Sequence, residues 1–296
     1  MSGQNTGRAA FILVNYNGRK VSRECVASLK RMKNRDWFAV IVDNDSPDGS
    51  FAELEKEYAS DGQVTVVSAG ANLGFAGGTN LGIRTALEQG AEWILLLNND
   101  TEVAEDLLDR MLEGADRESI YAPRINYFSD RGKAWYAAGR IDFNTGTVKN
   151  GDPETGGEVS FASGCCMLFS PKVFDKIGEF DEGYFMYYED VDYCLRARAA
   201  GVRIVYLPEA VVYHKVGATS GGEQSKLSIY YNNRNRFFLI RKYRELFTVR
   251  CVVYTACTRV LRFCAGVVRR GNDRVIAEAY RDFRKGIFGK KENLGI

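Results

Sequence analysis

The chain has 296 residues, 45% of them hydrophobic and 26% charged, with only five prolines and a single histidine. That length and apolar content support one large α/β domain with a helical extension, and the lack of low-complexity tracts or fixed-period repeats excludes a linker, a solenoid or a disordered tail. The net charge of +2 hides an asymmetry: residues 226–296 hold 17 Lys and Arg against 5 Asp and Glu, and the residues before them hold 23 against 33.

The polar segment 1–8 runs straight into an apolar run at 9–15, with no secretory hydrophobic stretch and cleavage site, which predicts a cytoplasmic protein. The run 9–15 reads as a strand, and Val21, Cys25, Leu29 and Met32 then recur at helical spacing. A second strand at 38–42 closes on VDNDSPDGS, dense in turn and cap residues, and 51–58 is helical. A third strand at 64–68 meets a glycine-rich loop at 70–78, which leads into a helix through Leu81, Thr85 and Leu87. A fourth strand at 93–97 ends in Asn98-Asn99-Asp100-Thr101, ahead of a helix at 104–112. This alternation predicts a mostly parallel, Rossmann-like sheet with helices on both faces and ligands at the carboxyl ends of its strands. The polar turns 15–17, 43–45, 72–78 and 98–100 all fall at such ends, so one crevice can collect them.

After Tyr121 the pattern changes to a hairpin at 140–148, a mixed-sheet strand at 159–169, helices at 171–177 and 190–200, and a strand at 202–206. Residues 1–120 read as a nucleotide-binding half and 121–225 as an acceptor and base half of one catalytic domain, with 226–296 as a basic helical extension. Seven cysteines with no C-x-x-C pair read as reduced, mostly buried thiols.

Several residues at these turns suit chemistry, each with a plainer alternative. Asp43 is placed to accept the imide N–H of a uracil or thymine ring, or to shape its own turn. The stretch NLGFAGGTN, 72–80, offers backbone N–H groups and a helix start to phosphate, or is a tight turn that needs glycine. Asp100 is a ligand for a hard divalent cation, Mg²⁺ or Mn²⁺, or an N-cap for the following helix. His214 is a second metal ligand or a structural histidine. Glu189, Asp190 and Asp192 stand where a helix begins; capping uses one or two, leaving one as a general base whose pKa apolar and like-charged neighbours push upward.

The ordered series VNYN, VDNDSPDGS, NLGFAGGTN, LLLNNDT, SGCCML, FDEGYFMYYEDVDYCLRARAAG and Tyr213-His214 resembles the family 2 inverting glycosyltransferases of the GT-A fold, from about Phe11 to Arg244. Within that family, NNDT together with EDVDYCLR is most similar to rhamnosyltransferases that use dTDP-L-rhamnose to build cell-surface polysaccharide. The resemblance implies that Asp43 reads the pyrimidine and that Asn15, Tyr16, Asn72, Gly74 and Asn80 line the nucleoside pocket. It further implies that Asn98, Asn99 and Asp100 face the donor, Asp100 and His214 hold the metal, and Asp190 is the base with Glu189 beside it. The family's usual D-x-D is here Asn98-Asn99-Asp100, with one carboxylate, so metal affinity without the donor diphosphate is expected to be poor. The implied acceptor is a cell-surface polysaccharide or a polyprenyl-diphosphate-linked glycan. The alternatives are a UDP-sugar donor (UDP-galactofuranose, UDP-glucose or UDP-GlcNAc), a nucleotidyltransferase, and a non-catalytic glycolipid-binding protein. Nucleic acid is not an expected partner, because it does not suit the acidic catalytic half.

In the basic extension, YYNNRNRFF mixes arginines with aromatics, so Arg234 and Tyr230 are candidates for phosphate or acceptor contacts, or belong to a solvated face. From 246 to 268, Val249, Val253, Cys257, Val260, Cys264 and Val267 follow helical spacing, with Arg259, Arg262, Arg269 and Arg270 opposite. Arg250, Arg259 and Arg262 argue against a membrane span, so the reading is a basic amphipathic helix on the anionic inner face of the plasma membrane. Packing on the catalytic domain, or a homodimer through these helices, is the alternative.

Overall fold

The structure, a computed structural model, describes residues 7–217, 225–269 and 273–291, so most of the polar N-terminal segment lies outside it. The first apolar runs form parallel strands β1 (Ala9–Asn15), β2 (Trp37–Asp43), β3 (Val64–Ser68) and β4 (Trp93–Leu97). Helices α1 (Arg19–Leu29), α2 (Ser50–Tyr58) and α3 (Gly74–Glu88) connect them. Strands β2 and β4 are buried along their whole length, as continuous apolar strands require when both sheet faces are covered.

The chain then forms β5 (Thr101–Val103), α4 (Leu107–Leu112), β6 (Ser119–Tyr127) and β7 (Ala134–Tyr136). A separate hairpin, β8 (Arg140–Asp142) with β9 (Thr147–Lys149), precedes β10 (Gly157–Val159) and β11 (Cys166–Phe169). Helices α5 (Pro171–Ile177) and α6 (Glu189–Ala199) lead to the long strand β12 (Arg203–His214). The main sheet has the order β10-β12-β6-β11-β4-β1-β2-β3, with β5 added to β12 and β7 to β6. Strand β11 runs antiparallel between β4 and β6, which makes the sheet mixed at that junction. Helices α7 (Lys226–Lys242), α8 (Val249–Arg269) and α9 (Asp273–Lys285) complete the described chain.

Two differences from the sequence reading position the site. The helix expected from 104 begins only at Leu107, because Thr101–Val103 is drawn into an antiparallel pair with the end of β12, Thr101 opposite His214. The strand expected at 202–206 continues to His214, through an irregularity between Leu207 and Val211. A smaller difference concerns α3, which starts inside the glycine-rich stretch. Its Gly82 lies so close to β1 that a Cβ would overlap Ile12 Cγ2 and come within 3.1 Å of Val42 Cγ2. Both neighbours are in the packed core, which has little room to yield. Gly82→Ala is therefore expected to destabilise the protein by about 1–3 kcal/mol through overpacking; an unchanged urea midpoint would contradict this packing.

Candidate active site

A cleft of about 720 Å³ opens at the carboxyl ends of β1, β2 and β4. One wall carries Asp100 and His214. The β5–β12 pairing brings them together: Lys215 N–H donates to the Asp100 carbonyl at 2.9 Å, and His214 Nε2 lies 3.2 Å from Asp100 Oδ1. Because β5 intervenes before α4, Asp100 is not a helix cap. Trp135 packs edge-on against the His214 ring at 4.6 Å. Burial works against a charged His214, but Cys165 and the Asp100 carboxylate outweigh it and push its pKa up to about 10. One carboxylate and one imidazole on a cleft wall suit a divalent cation that completes its shell with phosphate oxygens and water, and its binding would displace the histidine proton. Among the described residues, no group of three or more His, Cys, Asp or Glu side chains is arranged to hold a metal.

Another part of the lining comes from the start of α6. Its three carboxylates have separate environments. Asp192 is buried and bound by Lys242 Nζ at 2.7 Å, Arg196 Nε at 2.9 Å and the hydroxyls of Tyr184 and Tyr243. It is a structural anion. Glu189 and Asp190 line the cleft. Burial pushes the Glu189 carboxyl well up, and the Asp190 charge adds to the effect; Glu189 Oε2 is buried without a hydrogen-bond partner. Burial also raises Asp190, to about 6, against the N–H groups of Gly164 (3.0 Å) and Val191 (2.8 Å) that favour its ionised form. Burial thus disfavours charge on both carboxyls, and the backbone donors at Asp190 bring its pKa into the range that suits a general base.

Residues 10–178 match the family described as Glycosyl transferase family 2, more than half of the chain. The chain belongs to this family. Among curated relatives, it is 29% identical over 240 residues to the low-salt glycan biosynthesis hexosyltransferase Agl10 of Haloferax volcanii, covering 77% of this chain and 74% of that one. It is 28% identical over 263 residues to the dTDP-rhamnosyl transferase RfbF of Shigella flexneri (82% and 84% covered). It is 27% identical over 259 residues to an N-acetylglucosaminyl-diphospho-decaprenol L-rhamnosyltransferase of Mycobacterium tuberculosis (78% and 83% covered). A solved mannosyltransferase, PcManGT from Pyrobaculum calidifontis in complex with GDP-Man and Mn²⁺, shares the fold with a TM-score of 0.61 at 13% identity, covering 94% of this chain and 87% of that one. The fold is the GT-A fold of glycosyltransferases.

Tyr16, Asn72, Gly74, Asn98 and Asn99 join Asp100, His214, Glu189 and Asp190 around the cleft of this glycosyltransferase. Five expected site residues do not. Asp43 is 0% exposed: its Oδ2 accepts from Asn15 Nδ2 (2.7 Å) and Ser46 Oγ (2.8 Å), and its Oδ1 from Ser46 N–H. It shapes the turn, and Asn44, one residue on, lines the cleft instead. Asn15 is equally buried, its Oδ1 accepting from Ser22 and Asn99, so it supports the cleft floor without facing it. Asn80 spends its amide on Phe180 and Glu182, tying α3 to the segment before α6. Arg234 and Tyr230 are turned into the α7–α9 packing. Arg234 donates to the carbonyls of Gly289 and Tyr184, and the Tyr230 hydroxyl donates to Asp282 at 2.6 Å.

The glycine-rich stretch also departs from expectation. Gly74 N–H donates to Asn72 Oδ1, and the N–H groups of Phe75 and Ala76 both donate to the Phe185 carbonyl, so the first donors of α3 are bound to protein. Gly74 has φ of 73°, and a Cβ there would overlap the Phe185 carbonyl, which explains the glycine. Two cleft residues that sequence reasoning missed are Arg236 and Arg259, from α7 and α8.

Asp190 also makes a prediction about stability. A carboxyl raised from 3.8 to about 6 on folding favours the folded state only below pH 4, and that contribution is lost as pH rises through 6. Asp190→Asn is therefore expected to stabilise the protein at pH 8 by about 2 kcal/mol, the full shift being discounted for partial exposure, with the gain vanishing towards pH 4. Urea melts at the two pH values test this, and an equal effect at both would refute it.

Proposed function

We propose that the protein transfers L-rhamnose from dTDP-L-rhamnose, with inversion, to a hydroxyl of a polyprenyl-diphosphate-linked glycan. The observation that carries this reading is that Asp190, with its pKa raised to about 6, lines the same cleft as the Asp100–His214 pair. The rhamnosyltransferase relatives supply the donor and the acceptor class. Asp100 and His214 would hold Mg²⁺ or Mn²⁺, which when bound offsets charge on the departing diphosphate. Tyr16, Asn44, Asn72 and Gly74, which line the cleft, would meet the nucleoside.

Asp190 takes the proton of the acceptor hydroxyl. The freed oxygen attacks the anomeric carbon from the face opposite the diphosphate, the bond from that carbon to the diphosphate oxygen breaks, and dTDP leaves with the electron pair. The Gly164 and Val191 N–H groups aim the Asp190 carboxylate. Base catalysis is worth roughly 10² to 10⁴ in rate. Asp190→Asn should lower kcat by about that factor while Mn²⁺-dependent dTDP binding persists, and Asp100→Asn should lose that binding. Since the base must be ionised, kcat/KM should rise with pH through about 6; turnover that survives in Asp190→Asn would remove the base assignment.

The reading includes docking on an anionic membrane surface. Among the described residues no helix is long and apolar enough to cross a membrane. Helix α8 instead exposes Val249 (80%), Val252, Val253, Val260 and Leu261 along one side. The i, i+3, i+4 spacing of this stripe, within a segment rich in Lys and Arg, suits an anionic lipid surface. The side chains of Arg262, Val267 and Arg269, and the whole of Arg270, lie outside the described residues. Replacing Val252, Val253 and Val260 together by Glu should abolish sedimentation with phosphatidylglycerol vesicles and leave the fold unchanged; a concentration-dependent dimer lost in the same variant, with vesicle binding retained, would favour the homodimer.

A further inference from the structure

The cleft has a cationic side that the mechanism above does not use. Arg236 and Arg259 both line it, and both lie beyond the family-matched residues 10–178. Arg236 is 5% exposed. Its Nη2 donates to the Thr145 carbonyl in the β8–β9 turn, which fixes the guanidinium, while its Nε is buried without a hydrogen-bond partner. Arg259 Nη1 donates to Asn233 Oδ1 at 2.6 Å, which ties α8 to α7 at the cleft wall. Tyr188, the residue immediately before Glu189 and Asp190, lines the same cleft, and both charges oppose the rise that burial imposes on its hydroxyl.

A buried guanidinium with an unused N–H is costly unless an anion completes it, and the planar fork of arginine matches phosphate oxygens. The donor diphosphate already has a place beside Asp100 and His214. We propose that Arg236 and Arg259 form a second subsite, which takes the diphosphate that links the acceptor glycan to its lipid. The proposal rests on the glycosyl-transfer reading and adds which acceptor group is recognised and by which side chains. Helix α8 presents its apolar stripe outward and Arg259 to the cleft, so an acceptor anchored in lipid has its phosphates next to the helix that forms the wall.

The test uses the full chain, with dTDP and Mn²⁺ held at saturation so that the donor side is filled, and titrates farnesyl diphosphate and farnesol. Farnesyl diphosphate should bind with dTDP in place, and farnesol at least tenfold more weakly. R236Q and R259Q should each weaken farnesyl diphosphate at least tenfold, with the Kd for dTDP and the binding to phosphatidylglycerol vesicles unchanged. R259Q decides the matter if R236Q, which loses a buried side chain, does not fold. Competition between farnesyl diphosphate and dTDP, or wild-type affinity in R259Q, would overturn the subsite. Loss of vesicle binding in R259Q with farnesyl diphosphate affinity intact would overturn it too, and assign Arg259 to lipid headgroups. A protein that binds farnesyl diphosphate but no nucleotide with Mn²⁺ would fail the donor reading while leaving the subsite standing, so the two failures are distinct.

Discussion

The cleft depends on how one short segment before α6 is held. Phe185, Tyr187 and Tyr188 have φ of 65°, 66° and 74°, a region in which side-chain-bearing residues cost about 1–3 kcal/mol each. The amide of Asn235, on α7, offsets this strain by donating to the carbonyls of Tyr184, Met186 and Tyr187 at 2.8–2.9 Å. Arg234 Nη2 adds a bond to Tyr184. On the other side, the Phe185 carbonyl accepts from the first turn of α3. The strained segment is therefore held between α3 and α7, and its last residue hands over directly to Glu189 and Asp190. Helix α7 belongs to the catalytic body for this reason, and Arg234 and Tyr230, which look like ligand residues in the sequence, stabilise it from behind.

That arrangement has an electrostatic consequence for the donor side. A glycine-rich turn leading into a helix offers N–H groups to phosphate in many nucleotide sites. Here the Phe185 carbonyl and Asn72 take the first donors of α3, so the glycines allow close approach of protein to protein rather than protein to ligand. On the proposed reading, diphosphate charge is left to a cation at the Asp100–His214 wall, where strand β12 brings an imidazole beside the single carboxylate that stands in place of D-x-D. The helix dipole of α6 favours ionised carboxylates at its start, but burial dominates for Glu189 and Asp190, whereas Asp192 is paired with Lys242 and Arg196.

The limits of legibility in the sequence follow from the same contacts. Strands β3 and β4 and helix α5 occupy the stretches their apolar pattern indicates, because a continuous apolar run between turn residues has few alternatives. Asp100 is legible as a polar residue at a strand end that opens on a shared crevice, and Asp190 as one of three carboxylates where a helix begins. By contrast, β5 is three residues long and has no periodicity to read, so the pairing that brings Asp100 to His214 was hidden. Choosing Arg234 over Arg236 fails for a related reason: α7 is contacted on nearly every side, and composition alone does not say which side meets the cleft. Asp43 and Asn44 differ by one position at a strand end, where a single residue reverses the direction of a side chain.

Helix α8 brings these threads together. Arg259, one heptad after the exposed Val252, sits at the edge of the apolar stripe and reaches into the cleft wall. A helix with its side chains is about 10–12 Å across, so a surface resting on the valine stripe lies within roughly that distance of the guanidinium. On the proposed reading, that places the diphosphate of a lipid-anchored acceptor beside Arg259 while its lipid meets the valine stripe. The basic charge of the last quarter of the chain is then divided by position. Arg234 and Lys242 serve the fold, and Arg236 and Arg259 face the cleft.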